Sequence, residues 1–324
     1  MSSIDLIQSP ILAELASFKD LYDKSLSSDN PLFNDIVIYL NQQKGKMMRP
    51  ILVLLIAKLY GQIRTETFYA AISLELLHTA SLLHDDVVDE SFVRRRQPSI
   101  NAVYDNKVAV LAGDYLLAIC LIEARKTNNN GIINVISNLA RDLADGELLQ
   151  LSNLGNHFFS EEIYFNVIAK KTATLFSACT ESAALSMEAD ADTIECIRLF
   201  GKYVGICFQI KDDIFDYFDN GEIGKPTGND MLEGRLTLPV IYALNTTGNK
   251  SAKEIALKIK KREASLEEIN ELTDFAKQHK GIEYAHKMMN DYKEKSLALL
   301  SVFPDTDVKH ALVNYVDYMI ERKK

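Results

Sequence analysis

Two acidic motifs of identical spacing stand out among the residues that could do chemistry. They are Asp85-Asp86-x-x-Asp89, in LLHDDVVDES, and Asp212-Asp213-x-x-Asp216, in FQIKDDIFDYF. Residues i and i+4 of an α-helix differ by about 40° around the axis and about 6 Å along it. The first and last aspartates of each motif are therefore predicted to form a one-sided carboxylate pair on an otherwise apolar helix.

Clustered carboxylates need a compensating charge. Two like charges 4 Å apart repel by about 1 kcal/mol in water and about 4 kcal/mol near a protein surface. One such motif alone is more often a polar helix end, but two within apolar helices favour a bound cation. Oxygen ligands without His or Cys suit magnesium, which usually takes one or two carboxylates and completes its octahedron with substrate phosphates. The motifs therefore predict magnesium and a phosphorylated substrate.

Short basic segments could bind those phosphates. Lys46 and Arg49 lie in GKMMRP, Arg94 and Arg95 follow the first motif, and Lys170-Lys171-Thr172 and Gly224-Lys225-Pro226 lie near later helix ends. Taken singly, each cation is more typical of a solvated surface. His78 is seven residues before Asp85, two turns back on nearly the same face, although a lone His there is usually a hydrogen-bonding core residue.

Composition limits the classes of protein to which the chain can belong. The net charge of −9 argues against a nucleic-acid-binding surface. The four cysteines occur singly, which is typical of buried free thiols in a reducing cytosol. The first residues lack the pattern of a signal peptide, and no run of eighteen uncharged apolar residues occurs. A soluble cytoplasmic protein with no transmembrane segment is expected.

The chain is predicted to be a single all-α domain over residues 1–324, a bundle of long helices around a central active-site cavity. It contains 7 Pro and 14 Gly, where average usage would give roughly 16 and 23. Apolar residues recur at helical spacing almost throughout, and no convincing alternating strand competes. Beyond a first helix near 11–22 and a helix start at Asp29-Asn30-Pro31, helices are predicted at 50–60, 66–91, 100–127, 130–153, 160–187, 190–220, 236–246, 250–261, 266–279, 281–302 and 305–322.

The ordered motifs resemble the trans-isoprenyl diphosphate synthases, or polyprenyl synthetases, over about residues 40–245. The matching segments are GKMMRP, LHTASLLHDDVVDES, RRRQPS, LAGDYLL, KKTATLF, GICFQIKDDIFDYF, GKPTGNDMLEGRLTLP and the basic end ERKK. The resemblance implies an all-α homodimer that condenses an allylic diphosphate, such as farnesyl or geranylgeranyl diphosphate, with isopentenyl diphosphate. Departure of magnesium-bound pyrophosphate would leave an allylic carbocation. The double bond of isopentenyl diphosphate attacks it, and the resulting cation then loses a proton to the released pyrophosphate.

The same resemblance implies a role for each matching residue. Magnesium would be held by Asp85, Asp89, Asp212 and Asp216, with support from Asp86 and Asp213. The allylic diphosphate would be bound by Arg94, Lys171, Gln209 and Lys225, with Thr172 beside Lys171. The isopentenyl diphosphate site would consist of Lys46, Arg49, His78 and Arg95. The basic end, Arg322, Lys323 and Lys324, would cap the closed site or remain a solvated tail.

Some positions depart from the family pattern. Met47 stands where the family often has a basic residue, and Arg96-Gln97 replaces a frequent Gly-Lys, so that Arg96 has no assigned role. In the family, a bulky aromatic residue one or two turns before the first motif limits product length. The corresponding residues are Leu77, Ala80 and Ser81. Two of these are small, which predicts an open tunnel and a product of about C30–C40, although small residues also permit close helix packing.

Other functions remain alternatives. A shorter-chain synthase, with a C15–C20 product, would share every motif named above. A class I terpene cyclase would share the first motif but normally carries a different second one. A regulatory subunit of a heteromeric synthase usually loses acidic residues, whereas both motifs are complete.

A long product should leave slowly, with transient membrane contact during release, so we expect release to limit turnover.

Overall fold

The computed structural model describes residues 3–42, 45–94, 97–154, 158–218 and 228–322. Apart from one short hairpin, the regular secondary structure of these residues is helical, so the predicted all-α fold is confirmed. Its helices are α1 (Ser3–Gln8), α2 (Leu12–Ser25), α3 (Pro31–Gln42), α4 (Met48–Lys58), α5 (Thr65–Val88), α6 (Ile100–Val103), α7 (Asn106–Lys126), α8 (Asn130–Leu154), α9 (Glu161–Ile168), α10 (Thr174–Ser186), α11 (Ala191–Phe215), α12 (Asn229–Leu232), α13 (Leu238–Thr247), α14 (Lys250–Lys260), α15 (Leu266–Gln278), α16 (Gly281–Leu299) and α17 (Asp307–Glu321).

Three short elements join these helices. Ser9–Ile11 and Leu300–Val302 are 3₁₀ turns, and Ala169–Ala173 is a π-helical turn between α9 and α10. Strand β1 (Val93–Arg94) pairs antiparallel with β2 (Gln97–Pro98). Alternation could not predict strands of two residues, because a period of two needs a longer run to be visible.

The chain packs as two compact units. The first consists of Met1–Arg141, Leu175–Gly201 and Leu299–Tyr315, and the second consists of Asp142–Thr174, Lys202–Ala298 and Val316–Lys324. The assignment of residues 1–324 to one domain stays a prediction.

The core of the first unit is built on α4 and α5. All residues from Pro50 to Ala57 are buried, so α4 is enclosed on every side, as its continuous apolar sequence requires. Helix α5 packs against α4 and along α7. In the second unit, α13 packs against α9 and α15, and α15 also packs against α14. Helix α5, packed between α4 and α7, carries the first acidic motif at its C-terminal end.

Several helix boundaries differ from their predicted positions. The helices predicted to end at 91 and 220 end at Val88 and Phe215, so the last aspartate of each motif lies one residue beyond its helix. The helix predicted over 100–127 is divided before Asp105, whose carboxylate caps α7 by accepting the Val108 N–H at 2.7 Å. The helix predicted over 160–187 contains the π-helical turn. Asp105 was a visible N-cap signal for the start of α7, whereas the other breaks carry neither Gly nor Pro.

Two further expectations concern burial. Cys120, Cys179 and Cys207 are buried free thiols, as expected, whereas the free thiol of Cys196 is only half-buried. Within the described ranges, no helix is both long and apolar enough to cross a bilayer.

Replacing Gly201 with alanine should destabilise the first unit. An added Cβ would lie 2.4 Å from Thr180 Oγ1 and 2.5 Å from the carbonyl oxygen of Phe176. The backbone of α10 cannot easily move away, so overpacking should lower the free energy of unfolding by about 1–3 kcal/mol. Urea denaturation measures this change. In the control Gly131→Ala, the Cβ would meet only side-chain atoms of Asn129 and Leu185, at 3.1–3.4 Å. Equal losses in both variants would contradict the packing explanation.

Candidate active site

The first acidic motif is held at the end of α5 by an arginine. The guanidinium of Arg94 donates from Nε to both carboxylate oxygens of Asp86, at 2.8 and 3.0 Å, and from Nη2 to Oδ1 at 2.7 Å. Asp86 is buried with 3% of its surface exposed. A buried carboxylate needs such a partner, because removing one member of a buried pair is strongly destabilising. The middle aspartate therefore supports the motif structurally.

The outer aspartates of the first motif are more accessible. Asp85 is half-buried and Asp89 is exposed just beyond Val88. The segments on either side of the hairpin that carries Arg94 are joined to the end of α5, since the Asn101 amide donates to the carbonyl oxygens of Asp86 and Ser91 at 3.1 and 3.2 Å. Asp85 and Asp89 are thus the accessible members of the first motif, and Asp86 is its anchoring member.

A cavity of about 90 Å³ in the first unit brings together several predicted substrate-binding segments. Its lining includes His78 and Thr79 of α5, Arg94, and Gly45 and Met47 of the GKMMRP segment. Met47 adopts φ 50°, ψ 40°, an uncommon left-handed conformation for a residue with a side chain.

The two basic residues of that segment differ in their surroundings. Lys46 is exposed. The Arg49 guanidinium lies 6.0 Å from the ring centroid of Phe176, and its Nε is buried without a hydrogen-bond partner among the described residues. A buried donor without a partner is costly, and a phosphate oxygen could satisfy it.

The residues predicted to set product length lie on α5, and two of the three are buried. Ala80 is fully buried, Leu77 is 4% exposed and Ser81 is half-buried. The Ser81 hydroxyl donates to the carbonyl oxygen of His78 at 2.9 Å. Ser81 is thus the most accessible of the three for a change in side-chain size.

The second acidic motif is held by a hydrogen-bonded chain in the second unit. Tyr164 donates to Asp213 Oδ2 at 2.5 Å, and Gln209 Nε2 donates to Asp213 Oδ1 at 2.8 Å. The other end of the Gln209 amide accepts from the Thr172 hydroxyl at 2.6 Å. Burial, followed by the nearby Asp230 carboxylate, raises the pKa of Asp213 to about 8. Asp213 thus matches Asp86 as the buried, anchoring member of its motif.

The outer aspartates of the second motif have different partners. Asp212 accepts from Arg322 Nη2 at 2.6 Å, and the Arg322 guanidinium lies 3.9 Å from the Phe208 ring centroid. Asp216 accepts the backbone N–H groups of Asn229 and Asp230, each at 3.0 Å. Asp212 is the more exposed of the two, whereas Asp216 anchors the start of α12.

Lys171 lies in the π-helical turn and contacts α8. Its ammonium is 2.5 Å from a Glu147 carboxylate oxygen and 3.4 Å from Gln150 Oε1. π-Helical turns insert one residue into a helix and are frequent at functional sites. This turn places Lys171 and Thr172 on the wall of one cavity.

That cavity, of about 280 Å³, lies in the second unit and contains four predicted site residues: Lys171, Thr172, Gln209 and Asp213. Its lining also includes Gln150, Tyr164, Asp230 and Arg235, which the sequence analysis did not assign. Arg235 pairs with Asp230 at 2.9 Å and also contacts Glu233. Arg235 had a visible signal, since it lies in the matched segment EGRLTLP, whereas nothing local distinguished Tyr164 or Gln150.

Some predicted residues lie outside the described residues. They are Arg95, Arg96, Lys225, Lys323 and Lys324.

Comparison with known proteins identifies the family. Residues 30–275 match the polyprenyl synthetase family. The chain belongs to the polyprenyl synthetases. The predicted prenyltransferase is thereby confirmed as the enzyme class, and members of the family use a divalent metal.

The alignments with individual relatives extend over nearly the whole of this polyprenyl synthetase. An octaprenyl diphosphate synthase of Haemophilus influenzae is 31% identical over 99% of this chain and 98% of its own. A geranylgeranyl pyrophosphate synthase structure from Bacteroides thetaiotaomicron has TM-score 0.89 and 53% identity, covering 99% and 100%. A polyprenyl synthase of Caulobacter crescentus, complexed with calcium and isoprenyl diphosphate, has TM-score 0.92 and 30% identity, covering 99% and 98%.

The donor set of the polyprenyl synthetase motifs suits a hard divalent cation. Asp85, Asp89 and Asp212 offer carboxylate oxygens at accessible positions, and such ions prefer oxygen ligands. No group of three or more His, Cys, Asp or Glu side chains suited to a metal occurs in the described part of the chain. The carboxylates therefore fit an ion that takes its other ligands from water or substrate.

Removing the Arg322 guanidinium should strengthen metal binding in the absence of substrate. The cation competes for the Asp212 carboxylate, which is 37% exposed, so the coupling is screened and near 1 kcal/mol. Arg322→Gln should lower the Kd for Mn²⁺, measured by electron paramagnetic resonance, by about three- to tenfold. The exposed Lys295→Gln changes the charge equally and should shift the Kd by less than about twofold. A matching shift in both variants would mean that only net charge matters.

Proposed function

We propose that this polyprenyl synthetase catalyses the magnesium-dependent condensation of an allylic diphosphate with isopentenyl diphosphate. The allylic substrate is farnesyl or geranylgeranyl diphosphate, and the product is a trans-polyprenyl diphosphate of about C30–C40. The observation that carries the proposal is the repeated arrangement in which a middle aspartate is anchored and an outer one is accessible, with cations nearby. We assign this activity to one polyprenyl synthetase domain over residues 1–324.

Asp85, Asp89, Asp212 and Asp216 are the proposed magnesium ligands, Asp216 through water. Bound magnesium supplies positive charge that stabilises the leaving pyrophosphate. Asp86 and Asp213 keep their motifs in place. Among the cations, Arg94 is oriented by Asp86, which supports its role as a fixed, bidentate donor to the allylic diphosphate.

The remaining substrate contacts follow the family motifs. Lys171, Thr172, Gln209 and Lys225 bind the allylic diphosphate, and the common cavity lined by the first three supports this grouping. Lys46, Arg49, His78 and Arg95 bind isopentenyl diphosphate, which the buried Nε of Arg49 supports. Arg322 leaves Asp212 when substrate and metal bind, and with Lys323 and Lys324 it caps the closed site.

Product length rests on α5 and on the relatives. Small side chains at Ala80 and Ser81 and the octaprenyl product in the name of the H. influenzae relative support a long chain. The geranylgeranyl product in the name of the B. thetaiotaomicron structure favours the alternative, a C20 synthase. The two candidates share the reaction and differ only in when elongation stops.

The enzyme is proposed to act in the cytoplasm as a homodimer. Leu111, Tyr115, Leu121 and Ile122 expose apolar surface along α7, which supports burial against a second copy. Long products would be released during transient contact with a membrane.

Sizing the products tests the proposed reaction. Purified protein is incubated with magnesium, farnesyl diphosphate and labelled isopentenyl diphosphate, and the dephosphorylated products are identified by mass spectrometry. A ladder ending at C30–C40 is expected. A stop at C20 would support the shorter-chain alternative, and a lack of incorporation would favour a terpene cyclase or a regulatory subunit.

Enlarging Ser81 should shorten the product. Ser81→Phe adds an aromatic ring at the most accessible of the three chain-length positions, so elongation should stop at least one isoprene unit earlier while the first condensation persists. Ser81→Ala keeps the side chain small and should leave the product length unchanged. If Ser81→Phe gives the wild-type ladder at the wild-type rate, this face of α5 does not limit elongation.

A further inference from the structure

We propose that Glu147 is a positioning residue for Lys171, and that α8 thereby fixes the cation that binds the allylic diphosphate. The inference rests on the proposed function, which assigns Lys171 to that substrate. It adds a residue that no motif in the sequence indicated, on a helix outside both acidic motifs.

The backbone of α8 lies directly against the π-helical turn. A Cβ added at Gly146 would be 3.1 Å from the Lys171 nitrogen and 3.3 Å from both the carbonyl carbon and the Cβ of Lys170. Only a residue without a side chain permits this approach comfortably. Gly146 therefore brings the neighbouring side chains of α8 within reach of Lys171.

Two side chains of α8 then meet the Lys171 ammonium. Glu147 and Gln150 are three residues apart and so lie on one face of the helix. The ammonium is 2.5 Å from Glu147 and 3.4 Å from the Gln150 carbonyl oxygen. An ammonium has three N–H donors. Two are directed at α8, which leaves the third for a phosphate oxygen in the cavity that Lys171 lines.

Holding the lysine in advance should favour substrate binding. A lysine side chain has high conformational entropy because it rotates about several single bonds. A site loses affinity when that entropy must be lost on substrate binding. The Glu147 carboxylate also repels an incoming diphosphate, so positioning and repulsion oppose each other. With 22% and 26% of their side chains exposed, Glu147 and Lys171 are partly shielded from water, and their contact should persist in solution. We therefore expect positioning to outweigh repulsion.

A neighbouring pair provides a matched control. Asp145 of α8 contacts Lys170, the residue before Lys171, but these side chains are 52% and 35% exposed. Neither Asp145 nor Lys170 lines the cavity described above. Asp145→Asn removes the same charge from the same helix without touching the proposed diphosphate ligand.

Binding of a non-reactive substrate analogue tests the inference without turnover. The full-length protein with magnesium is titrated with farnesyl thiolodiphosphate by calorimetry. Glu147→Gln should weaken binding about tenfold, equivalent to about 1.4 kcal/mol, and Asp145→Asn should change it by less than twofold. Unchanged or tighter binding by Glu147→Gln would overturn the proposal, because repulsion would then equal or exceed positioning.

A double-mutant cycle shows whether Glu147 acts through Lys171. In a Lys171→Gln background, Glu147→Gln should no longer weaken binding, because the group that it positions is gone; relief of its repulsion should leave the affinity unchanged or higher. A tenfold loss in both backgrounds would overturn the proposal. If circular dichroism shows that Glu147→Gln does not fold, Glu147→Asp replaces it: the charge stays but the reach shortens, and at least about threefold weaker binding is expected. Wild-type affinity of Glu147→Asp would overturn the proposal.

Kinetics separate this inference from the proposed function. In Glu147→Gln, the KM for the allylic diphosphate should rise about tenfold, while the KM for isopentenyl diphosphate should stay within twofold. A wild-type protein that incorporates no isopentenyl diphosphate would refute the proposed function itself. An active wild type with an unchanged Glu147→Gln variant would refute only the positioning role.

Discussion

The concentration of negative charge at the ends of two apolar helices is the constraint on which the candidate site depends. Carboxylates placed there lose water and repel one another, so each buried one needs donors from the protein. The chain supplies a guanidinium to Asp86, a phenol and an amide to Asp213, and two backbone N–H groups to Asp216. The hairpin beside α5, the side chain of Tyr164 and the start of α12 are positioned by these bonds.

The two motifs resolve that constraint in parallel ways. In each, the middle aspartate is buried and anchored, the first is accessible, and the last lies one residue past the helix end. The fates of the last aspartates differ, because Asp89 is exposed while Asp216 caps α12. Two motifs with the same spacing in sequence thus differ in structure: one leaves its last aspartate accessible, and the other uses it to anchor a loop.

The sequence was sufficient for the helical fold and for the two motifs, since both depend on periodicity and on residue type. It was insufficient wherever a distant contact decided the outcome. The π-helical turn at Lys171 interrupts an apolar helical pattern without Gly or Pro. The Gly146 backbone that lies against it belongs to the preceding helix, α8. Glu147 and Tyr164 similarly acquire their roles only from tertiary neighbours. The helix ends at Val88 and Phe215 were not predicted, because each is followed by an aspartate, which is not a typical helix-ending residue.

Four cations of the described motifs and cavities are already paired with carboxylates. Arg94 is held by Asp86, Lys171 by Glu147, Arg322 by Asp212 and Arg235 by Asp230. Each of these cations is offset by at least one carboxylate, so they offer direction and hydrogen bonds but little net positive charge, in a protein whose net charge is −9. A diphosphate brings several negative charges that such pairs cannot offset. A divalent metal, which the family uses, would supply that balance, and under the proposed function we expect the preformed pairs to help orient the diphosphate oxygens.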